Sequence, residues 1–245
     1  MAQPIRFPAI VEQVIRHTPD VATYHLRAEK RLPRFTPGQF IHLTVDEFDP
    51  ASFWPESRVF SVANAVADRR SIKLTISRQG SYTGRIIDEL KLGDSVWAKG
   101  PYGEFVLDAS HGYRHAVFIA GGTGITPFGA FMDAALTHGQ LPVEAASLYY
   151  GAQTEDLLLY RPLCDECAEK VSGFQVRYFS ESQPHSKSQN VHHGRLGIAN
   201  ILAEQPEISQ TAFFLSGPKA MIDAFQSFLL SQGLMPEQIL VDAWE

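Results

Sequence analysis

The sequence AVFIA at residues 116–120, followed directly by GGTGITP at residues 121–127, is the most informative stretch of this chain. The apolar run is typical of a buried strand, and the glycines after it let the backbone turn tightly and approach a ligand closely. Thr126 is placed to cap a helix that begins at Pro127, where no hydrogen-bonded N–H is needed. Such a helix start presents N–H groups and a positive dipole end to an anion such as a pyrophosphate. The spacing of these glycines differs from the dinucleotide-binding pattern G-x-G-x-x-G. A strand-turn-helix connection that binds no ligand is therefore an alternative interpretation.

The residue pattern changes once along the chain, near residue 110. Before it, short alternating or apolar runs recur between turn residues, which predicts an antiparallel β-barrel. After it, strands and helices alternate, which predicts a doubly wound parallel sheet with ligands at the carboxyl ends of its strands. We expect two domains, residues 1–110 and 111–245. The expected strands are 9–15, 21–27, 39–45, 58–63, 71–77, 95–99, 115–120, 145–150, 175–179 and 212–215, and the later helices are one from residue 127, one near 157–170, one near 198–203 and one over 219–232.

Composition narrows the class of protein. With 245 residues, 44% of them hydrophobic, the chain can bury the cores of two modest domains. It has 21 basic and 27 acidic residues and no basic tract, which argues against a nucleic-acid or anionic-membrane partner. No stretch is long and apolar enough to cross a bilayer, and the first residues lack the apolar core of a signal peptide. We expect a cytoplasmic protein without membrane insertion, with a mobile polar loop at residues 180–190; its oligomeric state stays open.

Cys164 and Cys167, the only cysteines in the sequence, form a C-x-x-C pair. An iron–sulfur cluster is normally held by four thiolates, so this sequence does not supply one. A redox pair or half of a zinc site stays open, but the histidines that follow have no standard zinc spacing. We therefore favour ordinary helix packing for both cysteines and predict no metal site.

Three further segments carry residues suited to a flavin or a dinucleotide. In the strand that starts at Arg58, Arg58 and Phe60 share one face, so a guanidinium can meet a phosphate while an aromatic ring lies along a heterocycle. An edge strand with a solvated arginine is the alternative. The turn at residues 80–84 precedes an amphipathic run and offers a second helix start for an anion. Residues 213–221 form another strand that ends in a glycine turn before a helix.

Together these segments resemble the ferredoxin–NADP reductase superfamily, over nearly the whole chain and in the right order. The matching segments are R-V-F-S at 58–61, G-S-Y-T at 80–83, G-D-S-V at 93–96 with G-P-Y-G at 100–103, GGTGITP at 121–127, S-G-P-K-A-M at 216–221 and D-A-W-E at 242–245. The resemblance implies a flavin-binding Greek-key barrel followed by a nicotinamide-binding α/β domain, with hydride passing from NAD(P)H to flavin N5.

The resemblance also implies roles for individual residues. Arg58 would hold the flavin pyrophosphate, Phe60 would lie along the flavin and Ser61 would hydrogen-bond near N5. Ser61, Ser216 beside the nicotinamide and Trp244 stacked on the flavin are the expected catalytic residues. The expected cofactor-binding residues are Arg58, Val59, Phe60, Ser61, Gly80, Ser81, Tyr82 and Thr83 for FAD, and Gly121, Gly122, Thr123, Gly124, Thr126, Pro127, Gln153, Ser180, Glu181, Ser216, Gly217, Pro218, Met221 and Trp244 for the nicotinamide nucleotide and its gating. Two departures from the family pattern are Phe60 in place of tyrosine and Ser216 in place of cysteine.

The function expected from this resemblance is electron transfer from NAD(P)H through bound FAD to a separate ferredoxin or oxygenase component. A free-flavin reductase, which Phe60 favours, and a non-catalytic electron-transfer or regulatory subunit are the alternatives. NADH is expected to be preferred to NADPH, because Glu181 stands where relatives that use NADPH carry an arginine for the 2′-phosphate. Gln153, which stands where some relatives carry a second arginine, supports the same preference. The preference would weaken if Glu181 swung away and Arg177 or Lys187 met the phosphate.

Overall fold

The structure, a computed structural model, describes residues 3–185 and 190–242. The chain divides into two compact units between Val106 and Leu107. Each unit has its own hydrophobic core. None of the helices in the described residues is long and apolar enough to span a bilayer.

The first unit is built from six strands and one helix. These are β1 (Ile5–Thr18), β2 (Val21–Ala28), β3 (Phe40–Thr44), β4 (Arg58–Ser61), β5 (Ser71–Ser77), α1 (Ser81–Glu89) and β6 (Ser95–Tyr102). Neighbouring strands are antiparallel and follow the order β4-β3-β6-β1-β2-β5.

The two end strands of this order approach each other just beyond β4. The N–H of Ala63 donates to the carbonyl of Lys73 on β5 at 2.8 Å. The Asn64 side chain accepts from the N–H of Lys73 at 2.8 Å and donates to the carbonyl of Ser71 at 2.9 Å. These bonds nearly close the sheet, and the predicted antiparallel barrel is confirmed. Its interior holds buried side chains such as Tyr24 and Leu26.

The second unit alternates strands and helices. These are β7 (His115–Gly121), α2 (Thr126–His138), β8 (Ala145–Ala152), α3 (Arg161–Lys170), β9 (Phe174–Ser180), β10 (Val191–His193), α4 (Ile198–Ala203), β11 (Thr211–Ser216), α5 (Lys219–Ser231) and β12 (Ile239–Asp242). All neighbours are parallel, in the order β10-β9-β8-β7-β11-β12. The predicted doubly wound parallel sheet is confirmed.

Strand β7 lies in the middle of this sheet and is buried on both faces. Val117 and Ile119 belong to the core that α4 and α5 share. Phe118 points the other way, with its ring centroid 5.2 Å from that of Phe128 and 5.4 Å from that of Phe131 on α2. Burial on both faces explains why residues 116–120 are apolar without alternation.

The secondary structure of this unit differs from the prediction in two places. The short strands β10 and β12 were not predicted, because three or four residues give too little periodicity to recognise. The helix expected near residues 157–170 begins only at Arg161. A separate 3₁₀ turn covers Glu155–Leu157, and the left-handed backbone of Tyr160, with φ +58°, prevents this turn from continuing into the helix. Of the loop expected at 180–190, residues 186–189 lie outside the described residues.

Cys164 and Cys167 lie on α3 and are both fully buried. Burial raises the pKa of the Cys164 thiol far above its ordinary value and that of Cys167 to about 12. A thiol with so high a pKa stays protonated at neutral pH and is a poor nucleophile and metal ligand. Within residues 3–185 and 190–242, no group of three or more histidine, cysteine or acidic residues could hold a metal ion.

We therefore expect neither thiol to react with Ellman's reagent in the folded protein at pH 8, and both to react in guanidinium chloride. Burial and the raised pKa values act in the same direction, since the reagent needs an accessible thiolate. The absorbance of the released thionitrobenzoate measures both states, and rapid reaction of either thiol in the folded protein would contradict the assignment.

Candidate functional site

Strand β4 presents its four residues differently. Arg58 is exposed, Val59 and Phe60 are half-buried, and Ser61 is buried. Phe60 packs on the barrel core. The guanidinium of Arg58 donates to the carboxylate of Glu56 at 2.7 Å and to the carbonyl of Ser57 at 2.9 Å. An exposed guanidinium beside a half-buried aromatic ring is suited to a ligand that carries both a phosphate and a flat ring system.

The start of helix α1 offers N–H groups to an anion. Its cap residue is Gly80, and its first turn contains no acidic residue. A Cβ placed on Gly80 would meet no atom within 4 Å, so the space beside the cap is open. The hydroxyl of Thr83 accepts from the N–H groups of Gln79 at 2.8 Å and Gly80 at 3.1 Å, which fixes the turn before the helix. Thr83 thus acts on the backbone before the helix, and the first N–H groups of a helix have no intrahelical acceptor.

Two guanidinium groups lie against the ring of Tyr82. Its ring centroid is 4.6 Å from the guanidinium carbon of Arg58 and 4.9 Å from that of Arg85. Its hydroxyl donates to the carbonyl of Glu56 at 2.9 Å, so the buried ring is held firmly. Both contacts are within the range of cation–π attraction. Tyr82 therefore positions cations at the start of α1.

The sequence interpretation missed Arg85. Its guanidinium donates to Asp46 at 2.6 Å, which raises the pKa of Arg85, and its buried Nε has no hydrogen-bond partner. Residues three apart on a helix face each other, so the spacing from Tyr82 to Arg85 was the signal that could have found it.

The second unit has a topological switch between β7 and β11. From β7 the chain proceeds through β8, β9 and β10 on one side, while β11 and β12 lie on the other. In open α/β sheets, ligands bind at the carboxyl ends of the strands at such a switch. The loops that leave β7 and β11 here are the two glycine turns, Gly121–Gly124 and Ser216–Pro218.

The glycines of these loops serve different needs. A Cβ on Gly124 would lie 2.3 Å from the carbonyl oxygen of Ser216, and one on Gly121 would lie 2.8 Å from Cδ of Pro218. These two glycines let the loops pack against each other. Gly122 has φ +55°, and a Cβ on it would meet nothing within 4 Å. The open space for a ligand therefore lies beside Gly122.

The prediction that Thr126 caps helix α2 is wrong. A 3₁₀ turn over Gly122–Ile125 runs directly into α2, whose first residue is Thr126 and whose cap position is Ile125. The hydroxyl of Thr126 donates to the carbonyl of Thr123 at 2.6 Å. Because the 3₁₀ turn continues the backbone into the helix, the side chain stabilises the turn instead of accepting from the helix.

Ser216 ends β11 next to the carboxylate of Asp242. Its hydroxyl donates to Oδ2 of Asp242 at 3.1 Å, and both side chains are buried. The two residues are paired in register across β11 and β12. The hydroxyl that replaces the family's thiol is thus held in one orientation. Met221 and Pro218 lie against Gly121 in the same loop cluster. Trp244, the third expected catalytic residue, lies outside the described residues.

The ends of β8, β9 and β10 are joined by backbone hydrogen bonds. The N–H groups of Glu181 and Ser182 donate to the carbonyls of Ala152 and Gln153, both at 3.0 Å, and the N–H of Gly194 donates to Ser180 at 2.8 Å. The hydroxyl of Ser180 is buried and donates to the carbonyl of Ser182 at 2.8 Å. This corner therefore presents the side chain of Glu181 and not the hydroxyl of Ser180.

Glu181 is paired with Arg195, which the sequence interpretation also missed. The guanidinium of Arg195 reaches one carboxylate oxygen through Nε at 2.9 Å and Nη2 at 2.8 Å. Arg177 is bound elsewhere, because it donates to Glu204 at 2.5 Å beside Tyr149 in a groove of about 260 Å³ at the amino ends of β7, β8 and β9. Lys187 lies outside the described residues.

Comparison with known proteins assigns the chain to a family. Residues 8–107 match the oxidoreductase FAD-binding domain, and residues 118–227 match the oxidoreductase NAD-binding domain. The chain belongs to the ferredoxin–NADP reductase superfamily. The first unit is therefore of the FAD-binding type and the second of the NAD-binding type.

Three relatives illustrate the match. The reductase component of propane 2-monooxygenase from Rhodococcus jostii is 28% identical, over 85% of this chain and 55% of its own length. The electron transfer component of anthranilate 1,2-dioxygenase from Acinetobacter baylyi is 25% identical, over 94% of this chain and 64% of its own length. The crystal structure of a cytochrome P450 reductase from Amycolatopsis has a TM-score of 0.80 at 24% identity, over 99% of this chain and 70% of its own. The chain thus spans between about half and two thirds of the length of the two sequence relatives.

We expect Gly124→Ala and Gly122→Ala to differ sharply in stability. A Cβ at position 124 would lie 2.3 Å from a backbone oxygen, so the loops must separate, at a cost of about 3 kcal/mol. Gly122→Ala would cost only about 1 kcal/mol, for a left-handed conformation in open space. Thermal unfolding followed by circular dichroism measures both. Equal losses in the two variants would contradict the packing of the loops described above.

Proposed function

We propose that this protein is an FAD-dependent NAD(P)H oxidoreductase that passes electrons to a separate protein acceptor. The observation that carries the proposal is that each unit has an open backbone turn suited to a phosphorylated nucleotide, which we call its cradle. Each lies in a unit whose family model is named for the matching cofactor. One cradle is the cationic start of α1, and the other is the pair of glycine loops at the switch of the parallel sheet.

The first cradle fits the diphosphate of FAD. Arg58 and the N–H groups of the first turn of α1 are donors, and Arg85 adds a second positive charge on the Tyr82 ring. A diphosphate requires donors of this kind. Phe60 would lie along the flavin, and the buried Ser61 would hydrogen-bond near its reactive nitrogen. When bound, FAD accepts a hydride and releases electrons to the acceptor one at a time, which the protein side chains cannot do.

The second cradle fits a nicotinamide dinucleotide. Open space beside Gly122 would admit the pyrophosphate to the backbone at the switch. Thr123 would then be the loop residue nearest the nicotinamide. Ser216 would meet the nicotinamide from the end of β11, and its bond to Asp242 fixes the direction of its hydroxyl. Gln153 and Glu181 receive the adenosine end at the corner of β8 and β9.

The relatives support a protein acceptor. Among them are a reductase component of a monooxygenase and an electron transfer component of a dioxygenase. We infer that the acceptor is an oxygenase component or a ferredoxin.

A free-flavin reductase is the second candidate, and Phe60 favours it because the ring lacks the hydroxyl that relatives use to hold the flavin. The two guanidinium groups at α1 favour retained FAD instead, since a free flavin without a diphosphate would not need them. A non-catalytic subunit is the third candidate function.

Purified protein that is yellow and reduces ferricyanide with NADH would support the FAD-dependent oxidoreductase over the free-flavin reductase and the non-catalytic subunit. Purified protein that is colourless and does not bind added FAD would contradict the proposal.

We expect Arg58→Ala to weaken FAD retention about tenfold to hundredfold, because a charge-assisted bond to the phosphate is lost. Fluorescence titration of the apoprotein with FAD measures the dissociation constant. Arg27→Ala is the matched control, since it removes a half-buried arginine of the same unit that pairs with Asp68. Equal affinities in wild type and Arg58→Ala would remove Arg58 from the proposed site.

We expect Ser216→Ala to slow reduction of the flavin by NADH about twofold to tenfold, the worth of one neutral hydrogen bond. The rate is measured by stopped-flow absorbance at saturating NADH, so that binding does not limit it. Ser147→Ala, a half-buried serine of β8 in the groove with Arg177, is the control. A rate unchanged in Ser216→Ala would leave Ser216 with a structural role only.

A further inference from the structure

The guanidinium of Arg58 has a carboxylate partner two residues before it. One terminal nitrogen donates to Oε1 of Glu56 at 2.7 Å, and the other donates to the carbonyl of Ser57 at 2.9 Å. For an arginine, a carboxylate oxygen and a phosphate oxygen are charged acceptors of the same kind. A phosphate that binds Arg58 therefore competes with Glu56 for the same donors.

The backbone of Glu56 is fixed beside the start of α1. The hydroxyl of the buried Tyr82 donates to the carbonyl of Glu56 at 2.9 Å. The next residue, Ser57, accepts at its hydroxyl from the indole N–H of Trp54 at 3.0 Å, and the ring of Trp54 packs edge-on against that of Phe48, with centroids 5.1 Å apart. These contacts do not involve the carboxylate, so Glu56 stays within reach of Arg58 when its side chain turns away.

The two ion pairs of this cradle differ in their exposure to solvent. In the pair of Arg85 with Asp46 the side chains are 36% and 35% exposed, whereas in the pair of Arg58 with Glu56 they are 44% and 61% exposed. An exposed ion pair contributes little to stability, because water and salt screen it. The Arg58–Glu56 pair is therefore the one that opens at the smaller cost.

The charges of the cradle favour such an opening when a diphosphate arrives. The positive charges of Arg58 and Arg85 are balanced by Glu56 and Asp46, so the four side chains together are neutral. The first turn of α1 contains no acidic residue. Glu56 is thus the most exposed of these acidic groups, and turning it towards solvent leaves Arg58 free for an anion.

We propose that Glu56 is an affinity-determining residue for FAD, because its carboxylate has to leave Arg58 before the diphosphate can bind there. This rests on the proposed function. When a protein group is free for only part of the time, the apparent affinity for its ligand falls by the free fraction. The wild type therefore binds FAD less tightly than the same site with a neutral side chain at position 56.

The test is a fluorescence titration of the full chain, stripped of flavin, with FAD and with riboflavin. Riboflavin carries the ring system of FAD but no phosphate, so it reports on the ring end of the site alone. Glu56→Gln keeps the size of the side chain and removes its charge. It should tighten FAD binding about threefold to tenfold and leave riboflavin binding within about twofold of the wild type.

A double variant shows whether Glu56 acts through Arg58. In the Arg58→Ala background there is no guanidinium to release, so Glu56→Gln should change FAD affinity by less than about twofold. Glu47→Gln is the matched control, because it removes the same charge from an exposed residue of the same loop. Its FAD affinity should also stay within about twofold of the wild type. Circular dichroism of every variant checks that it is folded.

Four outcomes overturn the proposal. If Glu56→Gln leaves FAD affinity unchanged while Arg58→Ala weakens it, Glu56 has no such role and the proposed function stands. Equal tightening by Glu56→Gln and Glu47→Gln would reduce the effect to net charge. Equal tightening by Glu56→Gln with and without Arg58 would mean that the carboxylate acts on the phosphate directly. Wild-type protein that binds neither FAD nor riboflavin would remove the flavin site, and with it both the proposed function and the role of Glu56.

Discussion

The packing of one glycine against one carbonyl group fixes the central part of the second unit. Gly124 lies so close to the carbonyl oxygen of Ser216 that no side chain fits between them. This contact joins the loop after β7 to the loop after β11, the two strands between which the chain reverses its direction along the sheet. A side chain at position 124 would force the two loops apart. The glycines of such a loop are often explained by the ligand that the loop binds. Here Gly121 and Gly124 are required because a side chain at either position would collide with the loop after β11.

The sequence predicted the fold well where periodicity was strong. Strand β5 and helix α4 have the bounds that were expected, because alternating burial in one and a short apolar turn in the other leave little ambiguity. Strand β10 was missed because three residues, two of them exposed histidines, carry no recognisable period. The Thr126 cap was predicted wrongly because the sequence does not show that a 3₁₀ turn leads into α2.

The candidate site was predictable by position but not by orientation. The predicted segments do lie at helix starts and strand ends, yet the hydroxyl groups of Thr83, Thr126 and Ser180 bond to backbone atoms of their own turns. Arg85 and Arg195 were missed for a related reason. Arg195 meets Glu181 across 14 positions of sequence, and only the folded chain brings them together. Hydroxyl direction and ion pairing depend on tertiary structure, which local patterns do not encode.

The two guanidinium groups beside Tyr82 bear on the stability of the first unit and on its lifetime in the cell. Arg58 and Arg85 lie against one aromatic ring, and their ion-pair partners are Glu56 and Asp46 respectively. A ligand that binds only the folded state stabilises it in proportion to its concentration over its dissociation constant. With FAD bound as proposed, the cofactor is also a folding ligand of the first unit. Newly made chains that have not taken up the cofactor would then open more often, and cellular proteases would remove them before the loaded ones.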